Sequence, residues 1–140
     1  MKKTALIITS LFIAMCASFS HAQSVIELNK QQFLEKIWNY EKNPQSWTYN
    51  DTIPCVIDFN AKWCAPCRKM EPILKNLASK YKGKIIIYKV DVDKEKELAA
   101  LFRVSSIPAF LFCPTDGEPQ GTIGAYSADE FEKLIRDILL

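Results

Sequence analysis

The sequence predicts an α/β domain with a central sheet flanked by helices. Three observations carry that prediction. Ile53 to Phe59 is a continuous run rich in branched side chains, which suits a strand buried on both faces. From Arg68 onward, Ile73, Leu74, Leu77 and Ala78 recur at helical spacing. Lys84 to Asp91 then contains Ile85-Ile86-Ile87-Tyr88, a second buried strand. The three form a β-α-β unit, and Trp63-Cys64-Ala65-Pro66-Cys67 lies at its strand-to-helix junction. Two cysteines separated by two residues at such a junction form a dithiol that can cycle with a disulfide.

The chain of 140 residues begins with a basic Met1-Lys2-Lys3, an apolar stretch from Thr4 to Phe19, and small residues around His21 that end at Ala22. This pattern reads as a secretory signal peptide over 1–22, cleaved after Ala22, with a single domain over 23–140. A membrane anchor is the alternative, but the apolar run is short for a span and lacks a stop-transfer flank. A lipoprotein signal at Cys16 is disfavoured by the bulky Met15 before it. Of the 18 basic residues, Lys2 and Lys3 leave with the leader, so 16 face 16 acidic ones. That balance argues against a nucleic-acid surface.

Val25 to Leu28 reads as a short first strand. Asn29 caps a helix over Lys30 to Asn39, with Phe33, Leu34, Ile37 and Trp38 on one stripe. Asn43 to Ser46 is a turn, and Trp47-Thr48-Tyr49 is expected to be extended. Trp38, Tyr40 and Trp47 are read as packing residues rather than a binding cage.

Asp58 is out of place in its apolar run. It either ends the strand and reaches water, or it is a buried acid close to the dithiol; the second reading is preferred. A helix starting at the motif aims backbone N–H groups at Cys64 and favours its thiolate. Pro66 suits the first turn, where its missing N–H is not needed. Cys64 is therefore the expected nucleophile and Cys67 the deeper, resolving thiol. Trp63 is expected to lean over the pair as an apolar shield. A zinc site is the competing reading of the motif, but zinc needs about four ligands and the only histidine, His21, is in the leader. No metal and no cofactor are expected.

Pro72 is read as a kink inside one long helix rather than its end. Lys89 either offsets the charge of Asp58 or sits at a solvated strand end. A short helix follows over Glu97 to Val104. Ile107-Pro108 then opens the strand Ala109 to Cys113, a position where a cis bond is worth its cost. Pro114 to Glu118 is a turn, and Gly121 to Gly124 an edge strand. Ser127 caps a final helix whose stripe is Phe131, Leu134, Ile135 and Ile138.

From about residue 25 to 140 the chain resembles the thioredoxin family, in an exported, bacterial form. The resemblance rests on Val56 through Cys67, Pro72, Lys89 through Asp93, Ile107-Pro108, Gly117 and Gly124. It implies a thioredoxin-like, three-layer α/β/α fold with a mixed sheet. It also implies that Asp58 transfers a proton with Lys89 as its partner. The Ile107-Pro108 loop would lie against the substrate chain, and Trp63, Ala65, Pro66 and Gly124 would shape a shallow docking groove. Two departures stand out: Ala65 where glycine is commonest, and Asn60 in place of an aromatic.

In the family sheet the strands holding Asp58 and following Pro108 are antiparallel neighbours. Cys55 and Cys113 would then face each other, as buried inert thiols by default or as a second disulfide. The resemblance implies a monomeric protein-disulfide reductase of the periplasm, serving disulfide-containing exported proteins and reset by a membrane electron donor, with no stable membrane insertion after leader removal. The same residues suit a periplasmic oxidase or isomerase, a reductase of cytochrome c maturation, or a non-catalytic binding module.

Overall fold

The computed structural model describes residues 24–140; the leader expected over 1–22 lies outside the described residues. Nine elements follow one another: β1 Ile26–Glu27, α1 Lys30–Lys36, β2 Cys55–Asn60, α2 Ala65–Lys80, β3 Ile86–Asp91, α3 Lys96–Leu101, β4 Ala109–Cys113, β5 Gln120–Ile123 and α4 Ala128–Leu139. The sheet order is β1-β3-β2-β4-β5. β1, β3 and β2 run parallel, whereas β4 and β5 pair antiparallel. The sheet is thus mixed, with β2 at its centre and every β2 residue buried.

Strand periodicity separates the two faces of the sheet. Cys55, Ile57 and Phe59 of β2 join Phe33, Tyr88, Val90 and Leu98 in one core, packed by α1 and α3. Val56 joins Met70, Leu74, Phe110, Phe112, Phe131 and Ile135 in the other, packed by α2 and α4. Asp58 shares parity with Val56, so its carboxylate faces α2, the helix that begins at the dithiol. The three layers of the expected architecture are therefore present.

Several boundaries differ from the sequence-based expectations. α1 stops at Lys36, three residues short of Asn39. The Trp38 indole instead donates to the carbonyls of Asn43 and Ser46, and its ring lies 5.3 Å from that of Trp47. These contacts draw Trp38 out of the helix and into a cluster packed on the first core. α3 ends at Leu101 rather than Val104, and Arg103 takes a left-handed conformation at φ 51°. α2, by contrast, is the one long helix expected, with Pro72 inside it.

The first helix has only seven residues, so its cap carries weight. The Asn29 side chain accepts from the Gln32 N–H at 2.9 Å, and the Gln32 side chain accepts from the Asn29 N–H at 3.1 Å. Asn29→Ala is expected to cost about 1 kcal/mol in urea unfolding. A loss below roughly 0.3 kcal/mol would show that tertiary packing alone holds this helix.

Candidate active site

The site grows from the end of β2. Asn60 is followed by a turn in which the Cys64 N–H donates to the Ala61 carbonyl at 3.1 Å. Cys64 then takes extended backbone angles and becomes the N-cap of α2. Its Sγ accepts the Cys67 N–H at 3.2 Å, the position a serine or aspartate oxygen takes in an ordinary cap. A sulfur held there receives a backbone donor and the positive end of a 16-residue helix, which favours its anionic form. Pro66 occupies the first turn and, like Ala65, is exposed.

Cys64 and Cys67 are joined as a disulfide with their Cα atoms 5.3 Å apart. Both residues are 4% exposed, so depth does not distinguish them as expected. Their surroundings do. Cys64 is the helix cap, whereas Cys67 lines a cavity of about 210 Å³ shared with Asp58, Asn60, Lys62, Glu71 and Lys89. Such a space has room for several waters.

Asp58 is 2% exposed. Its Oδ2 accepts from the Asn60 amide at 3.2 Å, and its Oδ1 has no partner among the described residues. Burial pushes its pKa up from 3.8 to about 7, against the downward pull of the Lys89 charge and of the Asn60 hydrogen bond, with Glu71 adding a smaller push upward. A carboxyl with that affinity can take or give a proton near neutral pH.

Lys89 stands beside Asp58 in the β2–β3 register, yet its ammonium lies 3.3 Å from Glu71. Lys89 offsets the charge of Asp58 as expected, but without a direct ion pair to it. Its ion pair is with Glu71 on α2, and it acts on Asp58 through the field. The long flexible stem reaches the half-exposed carboxylate more readily than the buried one.

Opposite the dithiol, the Ile107–Pro108 bond is cis. Ile107 packs against Ala61, Cys64 and Cys67, and its peptide groups have no main-chain partner among the described residues. The Gly124 N–H donates to the Pro108 carbonyl at 2.9 Å, from a backbone at φ 109° that favours glycine. Trp63 precedes the pair in the turn. Its ring is 68% exposed, and its indole N–H donates to Asp93 at 2.9 Å. Tethered this way, it forms one wall of a groove of about 360 Å³ that runs past Val92 to Ile107. Gly124 braces Pro108 at the end of this loop.

Cys55 and Cys113 stand directly opposite in the β2–β4 register as two fully buried free thiols. Burial, then the neighbouring Cys55, pushes the Cys113 thiol up, which keeps it protonated and inert. A larger cavity of about 380 Å³, lined by Phe59, Phe102 and Ile123, lies away from the dithiol and shares no residue with the cavity of Asp58.

Sequence reasoning did not anticipate two residues of this site. Asn60 lies two positions after Asp58 on the same strand face, so the shared parity could have revealed it. Glu71 lies four positions after Cys67, on the same helix face.

Residues 24–137 match the family model described as Thioredoxin. The chain is 40% identical to the thioredoxin of Borreliella burgdorferi over 112 residues, covering 80% of this chain and 95% of that one. It is 34% identical to Thioredoxin H2-1 of Oryza sativa subsp. japonica over 115 residues, covering 82% and 77% of the two chains. Among solved structures, chloroplastic thioredoxin z superposes with a TM-score of 0.69 at 22% identity, covering 82% of this chain and 94% of that one. At that identity the likeness speaks for the fold.

Proposed function

Because the chain belongs to the thioredoxin family and is a protein-disulfide oxidoreductase, we infer that it reduces disulfides in exported proteins of the periplasm after loss of residues 1–22. The observation that carries the chemistry is the Cys64 sulfur at the N-cap of α2, 3.2 Å from the Cys67 N–H.

In the reduced enzyme the Cys64 thiolate attacks one sulfur of a substrate disulfide. A Cys64–substrate bond forms, and the displaced substrate thiolate takes up a proton. The Cys67 thiol passes its proton to Asp58 through the shared cavity. The Cys67 thiolate then attacks Cys64, and the second substrate thiolate leaves. Two electrons have moved to the substrate, and the enzyme holds the Cys64–Cys67 disulfide. Substrate backbone would pair with Ile107 beside Pro108, in the groove walled by Trp63, while Ala65 and Pro66 supply the exposed rim. The next cycle requires a donor of two electrons, which outside the cytoplasm points to a membrane protein.

Ala65-Pro66 places no histidine beside Cys64, which favours a reducing rather than an oxidising pair. The Cys64–Cys67 couple is expected below about −250 mV, a benchmark taken from thioredoxin's own known potential rather than from this geometry. A value near about −120 mV would reverse the direction and make the protein a disulfide donor. N-terminal sequencing of envelope protein should begin at Gln23; an uncleaved cytoplasmic form would remove the exported role.

A further inference from the structure

The buried carboxyl of Asp58 has neighbours that the exchange steps above leave without a task. Asn60, 5% exposed at the end of β2, donates its amide to Oδ2 of Asp58 at 3.2 Å and to the Asp58 main-chain carbonyl at 3.1 Å. That amide therefore sits on one carboxyl oxygen only. The other, Oδ1, is buried and unpartnered. A proton on Oδ2 would compete with the incoming amide, so the proton of the neutral acid belongs on Oδ1. Glu71 acts from across the cavity. Its carboxylate holds the Lys89 ammonium at 3.3 Å, although Lys89 is the residue opposite Asp58 in the β2–β3 register.

We propose that Asn60 and Glu71 are opposed positioning residues for the resolving step, Asn60 fixing Asp58 and steadying its carboxylate while Glu71 adds negative charge and engages Lys89. The inference rests on the reading of Asp58 as the proton acceptor of Cys67. The directions agree with the electrostatics: Asn60 and Lys89 favour the charged carboxylate, and Glu71 disfavours it. Other charged groups also face Asp58 across its two cavities. Glu27 of β1 and Lys75 of α2 lie on one side, and Lys62 and Arg68 on the other, beside Cys67. They bracket the carboxyl with both signs. Among the described residues, Asn60 alone hydrogen-bonds the carboxyl, and Glu71 alone pairs with Lys89.

The test measures Asp58 directly, by following its side-chain carboxyl carbon through a pH titration of the reduced protein. Asn60→Leu keeps the bulk and removes the donor. Its Asp58 should bind a proton about threefold or more tightly. Glu71→Gln should weaken proton binding by about threefold or more. The pH profile of disulfide reduction should move upward in the first variant and downward in the second. A structural role would give no such pair of opposite shifts. Glu71 is half exposed, so its variant remains informative if Asn60→Leu fails to fold. An unmoved titration in Glu71→Gln, or shifts of the same sign in both variants, would overturn the proposal. A titration that moves without the rate profile would also overturn it, and would leave exchange by Cys64 and Cys67 intact. The unmodified protein is the control: no disulfide reduction there would remove the parent reading itself.

Discussion

Cys64→Ser is expected to lower disulfide reduction by about three orders of magnitude or more, whereas Cys67→Ser should stop after one chemical step with substrate bound to Cys64. The difference follows from where each sulfur sits. Position 64 is the helix cap that receives the residue 67 N–H, so a thiolate there is stabilised. A serine oxygen accepts the same bond, which keeps the cap, but it is not ionised near neutral pH and forms no S–S bond. Fold and substrate groove are retained while the reaction is lost. Position 67 supplies the second attack. With serine there, the backbone donor remains and Cys64 still reacts, but nothing displaces the substrate. Mass spectrometry under non-reducing conditions should find a protein–substrate adduct at Cys64 in Cys67→Ser and none in Cys64→Ser. Turnover by Cys67→Ser at the rate of the unmodified protein, or an adduct at Cys67 in the unmodified protein, would sink the assignment of roles.

The fold was legible because two apolar runs and one helical stripe leave few topologies for a β-α-β unit, and right-handed crossover narrows them further. Asp58 was legible for the opposite reason: a carboxylate breaks an otherwise apolar strand and demands an explanation. What periodicity reports is the face a residue occupies. It does not report which partner a long side chain reaches from that face. Lys89 was placed correctly beside Asp58 in register, but its ammonium extends to Glu71. Trp63 likewise had a place in the turn, while its tether to Asp93 depends on two loops meeting in space. Asn60 departs from the aromatic common at its position, and a departure in residue type does not show that the amide reaches Asp58. The end of α1 was missed because Trp38 continues the apolar stripe in sequence but finds its ring and indole partners outside the helix.

Asp58→Asn should stabilise the folded protein at pH 8 by about 2 kcal/mol, with the gain shrinking towards nothing near pH 4. The folded-state pKa of Asp58 is raised, from 3.8 to about 7. Between those values the folded protein keeps a proton that the unfolded chain has released. Stability therefore falls as pH rises through that window, and the whole penalty stands above pH 7. Below about pH 4 the carboxyl is neutral in both states and costs nothing extra. A shift of this size corresponds to at most roughly 4 kcal/mol. Asparagine recovers only part of it, because its amide nitrogen would take the place of the unpartnered Oδ1 and remain without an acceptor. Urea unfolding at pH 4 and pH 8 separates the charge effect from packing, and an equal gain at both would refute the buried-charge account. The same substitution removes the proton acceptor of Cys67, so the mixed disulfide should resolve more slowly, by about 10²-fold. Greater stability and slower chemistry from one atom pair is the expected signature of a carboxyl kept in an unfavourable place for its proton.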